Sequence, residues 1–242
     1  MNLKIKPSTT YRFSNKKEVK EMFDSISNEY DFLNKIISFG NHLKWKKEVL
    51  SIAKQIKPKT ILDIATGTAD IAIELSKIKD SKITGIDISN EMLKIAETKT
   101  RTKNLSKQIK LEYQDAENLK YDDNSFDLIT IGFGVRNFKN LGKGLIESYR
   151  VLKKNGMLII LETSLPKSFI IKHLYLSFSR IFLPLAGILF SNNMLAYNYL
   201  YKTAAKFPSG EKFVSILEKH GYKKIKFKNR MYGAVSIYSA FK

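Results

Sequence analysis

The chain contains no cysteine. That single absence excludes disulfide scaffolds, thiolate metal centres, cysteine nucleophiles and CxxC redox chemistry. Histidine is scarce too, with only His42, His173 and His220, so a histidine metal cage is not expected. Acidic residues number 23 against 42 lysines and arginines, a net charge of +19 over 242 residues. The most apolar stretch, residues 169–190, carries Lys172, His173, Arg180 and Pro184 inside it. A bilayer-spanning helix rarely tolerates these, and one or two buried or interfacial helices are expected instead. The first twenty residues lack the apolar segment and cleavage site of a secretory signal, which predicts a cytoplasmic protein.

What remains is the composition of a globular protein, 43% hydrophobic and 27% charged, with no internal repeat and no Gly/Ser linker. The charge is unevenly placed. Residues 1–59 carry +7, residues 60–165 carry +1 and residues 166–242 carry +11. A neutral middle between basic flanks suits a polyanionic surface, either a nucleic acid or an anionic membrane leaflet; a solvated lysine-rich surface is the plainer reading.

The middle third has a regular rhythm. TILDIA (60–65), KITGIDI (82–88), IKLEYQ (109–114), FDLITIGF (126–133) and GMLIILET (156–163) read as strands. Between them DIAIELSKI (70–78), EMLKIAETKTR (91–101) and LGKGLIESYRVL (141–152) have helical apolar spacing. Alternation of this kind predicts an α/β fold with a doubly wound, mostly parallel Rossmann-like sheet. SGEKFVSILEKHG (209–221) reads as a helix closed by a glycine. KKIKFKN and AVSIYSAF then form a C-terminal antiparallel hairpin around Met231-Tyr232-Gly233. Residues 1–55 are expected to form a helical cap of the same domain, with 56–242 as the body and a helical insertion at about 167–207.

In such a sheet a ligand lies beyond the carboxyl ends of the strands, which here means over DIATGTAD (63–70). Gly67 permits a tight turn, and Asp63 can accept from a cationic or amide-bearing group. A dinucleotide loop would want a second glycine where Ala69 stands. Asp87 ends the second strand, placed for ribose hydroxyls, and Asp115 ends the third, placed for an adenine amine. Three carboxylates at three strand ends with a weak phosphate loop favour a cationic nucleoside over an anionic dinucleotide.

The series D-x-x-x-G, D-I-S-x-E-M-L, D-A-E-x-L and D-N-S-F-D is similar to that of class I S-adenosylmethionine-dependent methyltransferases. More narrowly, YDFLNKIISFGNHLKW (30–45), FGVRNF (133–138) and RVLKKNGMLIILETS (150–164) resemble the menaquinone and ubiquinone biosynthesis C-methyltransferase family, and the likeness covers roughly residues 20–242. It departs at Ala69, where the family usually has glycine, and at Asn155, in a turn usually Lys-Pro-Gly-Gly.

The resemblance implies S-adenosyl-L-methionine as methyl donor, with no metal, held by Asp63, Gly67, Thr68, Asp87, Asp115 and Ala116. It implies an isoprenoid quinol as substrate, demethylmenaquinol first and the polyprenyl-methoxy-benzoquinol of ubiquinone synthesis as the alternative. Arg136, Asn137, Tyr30 and His42 are then the catalytic candidates, with Asp31 and Asn34 completing the pocket. Arg136 would hold a quinolate, since a guanidinium stays protonated. His42 is a candidate base, and reads equally well as a hydrogen-bonded structural residue. Glu162 reads as a buried acceptor. A lipid-borne substrate gives the basic flanks a purpose, namely peripheral contact with an anionic membrane at its inner face. Phe169, Tyr175, Phe178, Phe182 and Phe190 would wall a tail tunnel or dip into the interface, or else pack in the core or a homodimer. The rivals are an RNA methyltransferase, disfavoured because the expected Asp/Asn-Pro-Pro-aromatic loop and catalytic cysteine are both missing, so that no nucleic acid is expected, and a non-catalytic nucleoside-binding adaptor.

Overall fold

Three strands end at residues that break their apolar runs, Asp87, Gly132 and Thr163. β1 (Thr60–Ile64), β2 (Lys82–Asp87), β3 (Ile109–Tyr113), β4 (Phe126–Gly132) and β5 (Leu152–Thr163) are parallel, and β6 (Lys223–Arg230) and β7 (Val235–Phe241) close the sheet as an antiparallel hairpin on β5. Their order is β3-β2-β1-β4-β5-β7-β6, the doubly wound sheet that the rhythm of the sequence predicts. The reversal of strand order falls between β1 and β4, so their carboxyl ends open the crevice. The computed structural model describes residues 15–191 and 193–242; basic residues before position 15, and the side chains of Pro184 and Phe190, lie outside the described part.

Side chains alternate across the sheet, and so the fold has two cores. On one face Leu62, Ile64, Ile129 and Leu158 pack against α6 (Leu141–Val151) and α9 (Glu211–Lys219) through Leu145, Val151, Phe213 and Leu217. On the other, Ile61, Ile83, Leu128 and Ile159 meet α3 (His42–Ala53), α4 (Asp70–Leu75) and α5 (Asn90–Thr102). Each buried Leu or Ile contributes about 1.5–3 kcal/mol. α4 is shorter than the helix expected over 70–78, because the Ser76 hydroxyl turns back to the carbonyl of Ile73 and competes with the ladder. Ser89 caps α5, accepting from the Met92 N–H at 3.1 Å. Gly221, at φ +89°, ends α9.

α1 (Lys16–Ser25), α2 (Ser27–Ile37) and α3 lie over the carboxyl ends. A third cluster joins α1 and α2 to α5 and α8 (Met194–Lys206): Val19, Met22, Ile26 and Leu33 bury against Met92, Tyr197 and Tyr199. α7 (Phe169–Ser191) forms a hairpin with α8. It turns Tyr175, Ser179 and Phe182 inward, while Phe169, Ile170, Leu174 and Ile181 stay exposed. Among the described residues no helix is long and apolar enough to cross a membrane.

Candidate active site

The turn after β1 alternates in handedness. Ala65, Gly67 and Ala69 have φ of 53°, 56° and 64°. Glycine adopts this region freely, whereas alanine gives up about 1–2 kcal/mol there. Hydrogen bonds from all sides hold the turn in place. Asp87 Oδ2 accepts from the Gly67 N–H at 2.8 Å, and Asp63 accepts from the Thr66 and Thr130 hydroxyls at 2.6 and 2.5 Å. Ala69 is fully buried in the α3–α4 core, so burial of its methyl, about 0.8 kcal/mol, offsets part of the strain at this departure from glycine. Burial pushes the Asp63 carboxyl up to about 6 against the pull of its threonine partners. With both oxygens engaged and the residue 1% exposed, Asp63 shapes the turn from beneath.

Beyond this turn lies a cavity of about 700 Å³ between α1 and the ends of β1, β2 and β4. Asp87 is at its floor, with Oδ1 accepting from the Ser89 N–H at 2.9 Å. Burial raises its carboxyl, and the N–H groups of Ser89, Gly67 and Ile88 pull it back. Ile88, Met92, Ala116 and Phe138 make apolar walls, the surroundings a purine ring needs. Asp115 and Gln114 stand at the rim. Asn137 faces the same cavity, and its Oδ1 is buried without a hydrogen-bond partner among the described residues. An acidic strand end, apolar walls and an orphaned acceptor fit a cationic nucleoside such as S-adenosylmethionine. The Asp115 carboxylate, 36% exposed at this rim, also reaches across to the cap. Its Oδ2 holds Lys16 Nζ of α1 at 2.6 Å, and Glu117 takes the same ammonium at 2.9 Å.

A second cavity, of about 1440 Å³, adjoins the first. Tyr30, Ala65, Gly67, Gly132 and Phe133 line both. It is also lined by Arg136, in the short 3-10 turn Val135–Asn137 after β4. Nη1 donates to Glu162 at 2.5 Å and to the Phe133 carbonyl at 2.8 Å, while Nε is buried without a partner among the described residues. Burial works against the guanidinium charge, and Glu162, itself wholly buried at the end of β5, keeps it in place. Tyr30, Tyr175 and Tyr199 have phenols raised by burial and feel the Arg136 charge, so they stay neutral. Thus the Arg136 guanidinium shares with the neutral hydroxyls of Tyr30 and Tyr175 a chamber that Lys46, Asp63 and Asp70 also line. His42, at the start of α3, lines the same chamber with Nδ1 2.8 Å from Ser38 Oγ. Burial and then Lys46 lower its basicity, so it is neutral at pH 7.

Lys99, Lys46 and Asp70 gave no signal in the sequence. Lys99 of α5 donates to Asp31 of α2 at 2.7 Å and to Asp70 at 2.5 Å, Lys46 of α3 meets Asp70 at 2.7 Å, and the Thr68 hydroxyl donates to Asp31 at 2.6 Å. Burial would raise Asp70, but Lys99 and Lys46 hold it below the usual carboxylate range. Thr68, expected at the cofactor, is in this way the knot between cap and turn. Such pairs join residues far apart in the chain, and no local pattern marks them.

A Rossmann-like sheet of this order, with an acidic β2 end over a glycine turn, is the architecture of a class I S-adenosylmethionine-dependent methyltransferase. Solved structures agree on the fold: an S-adenosylmethionine-dependent methyltransferase from Thermotoga maritima superposes with a TM-score of 0.63 at 22% identity, covering 92% of this chain and 99% of that one. The phosphoethanolamine N-methyltransferase 2 of Haemonchus contortus, in complex with S-adenosyl-L-methionine, gives 0.61 at 17% identity over 98% of this chain and 60% of its own. The sequence pattern of the ubiE/COQ5 methyltransferase family matches residues 11–242, and the chain belongs to that family. A demethylmenaquinone methyltransferase of Bacteroides fragilis is 38% identical, over 99% of this chain and 98% of its own length. A ubiquinone/menaquinone biosynthesis C-methyltransferase of Geotalea daltonii is 37% identical, over 93% and 96%.

Proposed function

We propose that the chain methylates a ring carbon of demethylmenaquinol, the donor lying in the smaller cavity and the quinol in the larger. The observation that carries this reading is the shared wall: the cavities meet at Tyr30, Gly67 and Phe133, with Arg136 fixed beside it in the larger one by Glu162 and the Phe133 carbonyl. When bound, S-adenosylmethionine supplies an electrophilic methyl, so that a carbon–carbon bond forms as the sulfur–methyl bond breaks and one proton leaves to water. The residues align the ring and stabilise charge on its oxygen. Arg136, with Nε unpartnered, is placed for a quinolate oxygen. Asn137 and Asp87 face the donor side, and Tyr30 stands between the two. Supplying the protein with labelled donor and, in parallel, demethylmenaquinol or the polyprenyl-methoxy-benzoquinol is the test. Label in the naphthoquinol ring is expected; label only in the benzoquinol would move the substrate to the alternative, and label in neither would overturn the reading.

The exposed side of α7 supports a membrane location for this reaction. A helix apolar on both faces needs apolar surroundings on both. α7 packs inward through Tyr175 and Ser179, yet Phe169, Leu174 and Ile181 are 74%, 66% and 63% exposed. The Phe39 ring, exposed at the α2–α3 turn, approaches Phe178 and Phe182 at 6.4 and 6.5 Å, at the edge of the larger cavity. We expect sedimentation with phosphatidylglycerol vesicles to fall as salt rises, because basic residues contribute about 1 kcal/mol each and are screened over about 8 Å. A salt-resistant remainder should disappear in Leu174→Glu/Ile181→Glu. Equal binding to neutral vesicles would refute the electrostatic part. A dimer by ultracentrifugation that the same pair of changes dissolves would assign the face to a second copy instead.

A further inference from the structure

His42 invites the reading of a base, and its hydrogen bonds argue otherwise. Ser38 Oγ has one proton to donate and two acceptors within reach: His42 Nδ1 at 2.8 Å and the Lys35 carbonyl at 3.5 Å. It also lies 3.4 Å from the backbone N–H of His42, for which it is an acceptor. If Nδ1 carried the imidazole proton, it would donate into an oxygen already facing one N–H, and the hydroxyl would be left with the bond at 3.5 Å, the limit of a useful hydrogen bond. If Ser38 donates to Nδ1, the short contact is used in full and the backbone N–H keeps its acceptor. The second arrangement places the proton of the neutral ring on Nε2. Nε2 makes no hydrogen bond to any described residue, and the ring lines the larger cavity.

We infer that His42 binds the substrate as a neutral hydrogen-bond donor through Nε2–H, gripping an oxygen of the quinol, and that Ser38 is the positioning residue that fixes this tautomer. The inference rests on the quinol occupying the larger cavity. A hydroquinone has two oxygens on opposite sides of the ring. With one of them at Arg136, the other can be held by a neutral donor, which orients the ring without offsetting the charge that Arg136 stabilises. The proton released in the reaction then goes to water, not to His42.

The charged groups facing His42 are Lys35 and Asp31 from α2, Lys46 from its own helix and Asp70 from α4. Asp70 and Asp31 favour the imidazolium; burial and the two lysines outweigh them, and the start of a helix adds to the same side. A depressed titration midpoint leaves the ring neutral over the working range. As a donor it would keep working if protonated, since the imidazolium still carries Nε2–H, whereas a base would stop. That difference makes the two roles separable by pH.

The tautomer can be read in the ligand-free protein from the nitrogen shifts of 15N-labelled histidine, with His42→Gln to assign the signal. Two internal references are built in. Nδ1 of His173 and of His220 each lie 2.8 Å from a carbonyl, of Phe169 and Ile216, and a carbonyl only accepts, so both rings should be Nδ1–H tautomers. His42 should show the opposite pattern, and Ser38→Ala should shift it toward a mixture.

With demethylmenaquinol, kcat/KM should show no acid limb at the His42 midpoint measured in the same titration. His42→Gln, whose amide nitrogen can donate from a similar position but cannot take a proton at pH 7, should retain more activity than His42→Ala, which should lose roughly tenfold, mostly in KM. An Nδ1–H tautomer at His42, or an acid limb that follows its titration, or equal losses in the Gln and Ala variants, would overturn the inference. Because the tautomer is read without substrate, it decides the geometry even if neither quinol is methylated, which would be a failure of the substrate reading and not of this one.

Discussion

Arg136→Lys should lower turnover with demethylmenaquinol by about a hundredfold, about 2.7 kcal/mol of transition-state stabilisation, while S-adenosylmethionine affinity stays within about twofold. The guanidinium does two jobs at once. It satisfies Glu162 and the Phe133 carbonyl from Nη1, and under the proposed chemistry its other donors, in the same plane, would meet the charge that develops on the quinol. A lysine ammonium is a point charge and can answer Glu162, but it has no rigid second edge to offer a quinolate. Arg136→Ala is a poorer probe. It leaves Glu162, wholly buried, without its cation, and breaking a buried pair from one side costs about 3–5 kcal/mol. That variant should melt early, whereas Arg136→Met/Glu162→Gln should recover most of the stability and none of the turnover. Single-turnover kinetics and calorimetry on the folded variants separate these outcomes. Normal turnover in Arg136→Lys would place the quinol elsewhere, and a parallel collapse of donor affinity would make Arg136 a residue of the smaller cavity.

How far the sequence reaches is clearest at Asp87 and Asp115, which look alike in it. Both are acidic residues at the end of a parallel strand. The β2 end keeps its carboxylate at the cavity floor, tied to backbone N–H groups of the turns after β1 and β2. The β3 end meets Lys16, from a helix 99 residues earlier, and nothing near Asp115 announces that partner. Strand periodicity and turn residues are local properties, so the alternating strands and helices of a doubly wound sheet, the C-terminal hairpin and the glycine turn are legible. The Asp31–Lys99–Asp70–Lys46 lattice and the tyrosines around Arg136 depend on how the cap and the α7–α8 hairpin come to rest, and the chain carries no short-range mark of that. Residues 169–190 lie between these cases. Their apolar character and the charges that interrupt it were plain in the sequence, but which side of the helix would stay bare was settled only by packing on α8.

Asp87→Ala should weaken S-adenosylmethionine binding by roughly 1.5–3 kcal/mol, the scale on which a charged acceptor contributes. At 1.4 kcal/mol per tenfold, that is on the order of ten- to a hundredfold in dissociation constant. Two effects act in the same direction. The carboxylate lies at the floor of the smaller cavity, where the proposed donor would set its ribose hydroxyls. It is also the acceptor for the Gly67 N–H at 2.8 Å and the Ser89 N–H at 2.9 Å, so it holds the β1 turn to the β2 turn. Asp87→Asn tells the two apart. An amide retains one oxygen to accept from a backbone N–H, keeping part of the clasp, but loses the charge that favours bidentate acceptance from two hydroxyls. If ribose contact dominates, Asn and Ala should weaken binding almost equally with little change in melting temperature. If the clasp dominates, Asn should lie near the wild type and Ala should lower both affinity and stability. Titration calorimetry beside thermal unfolding of the three proteins gives both readouts, and an unchanged dissociation constant in Asp87→Ala would remove this strand end from the donor site.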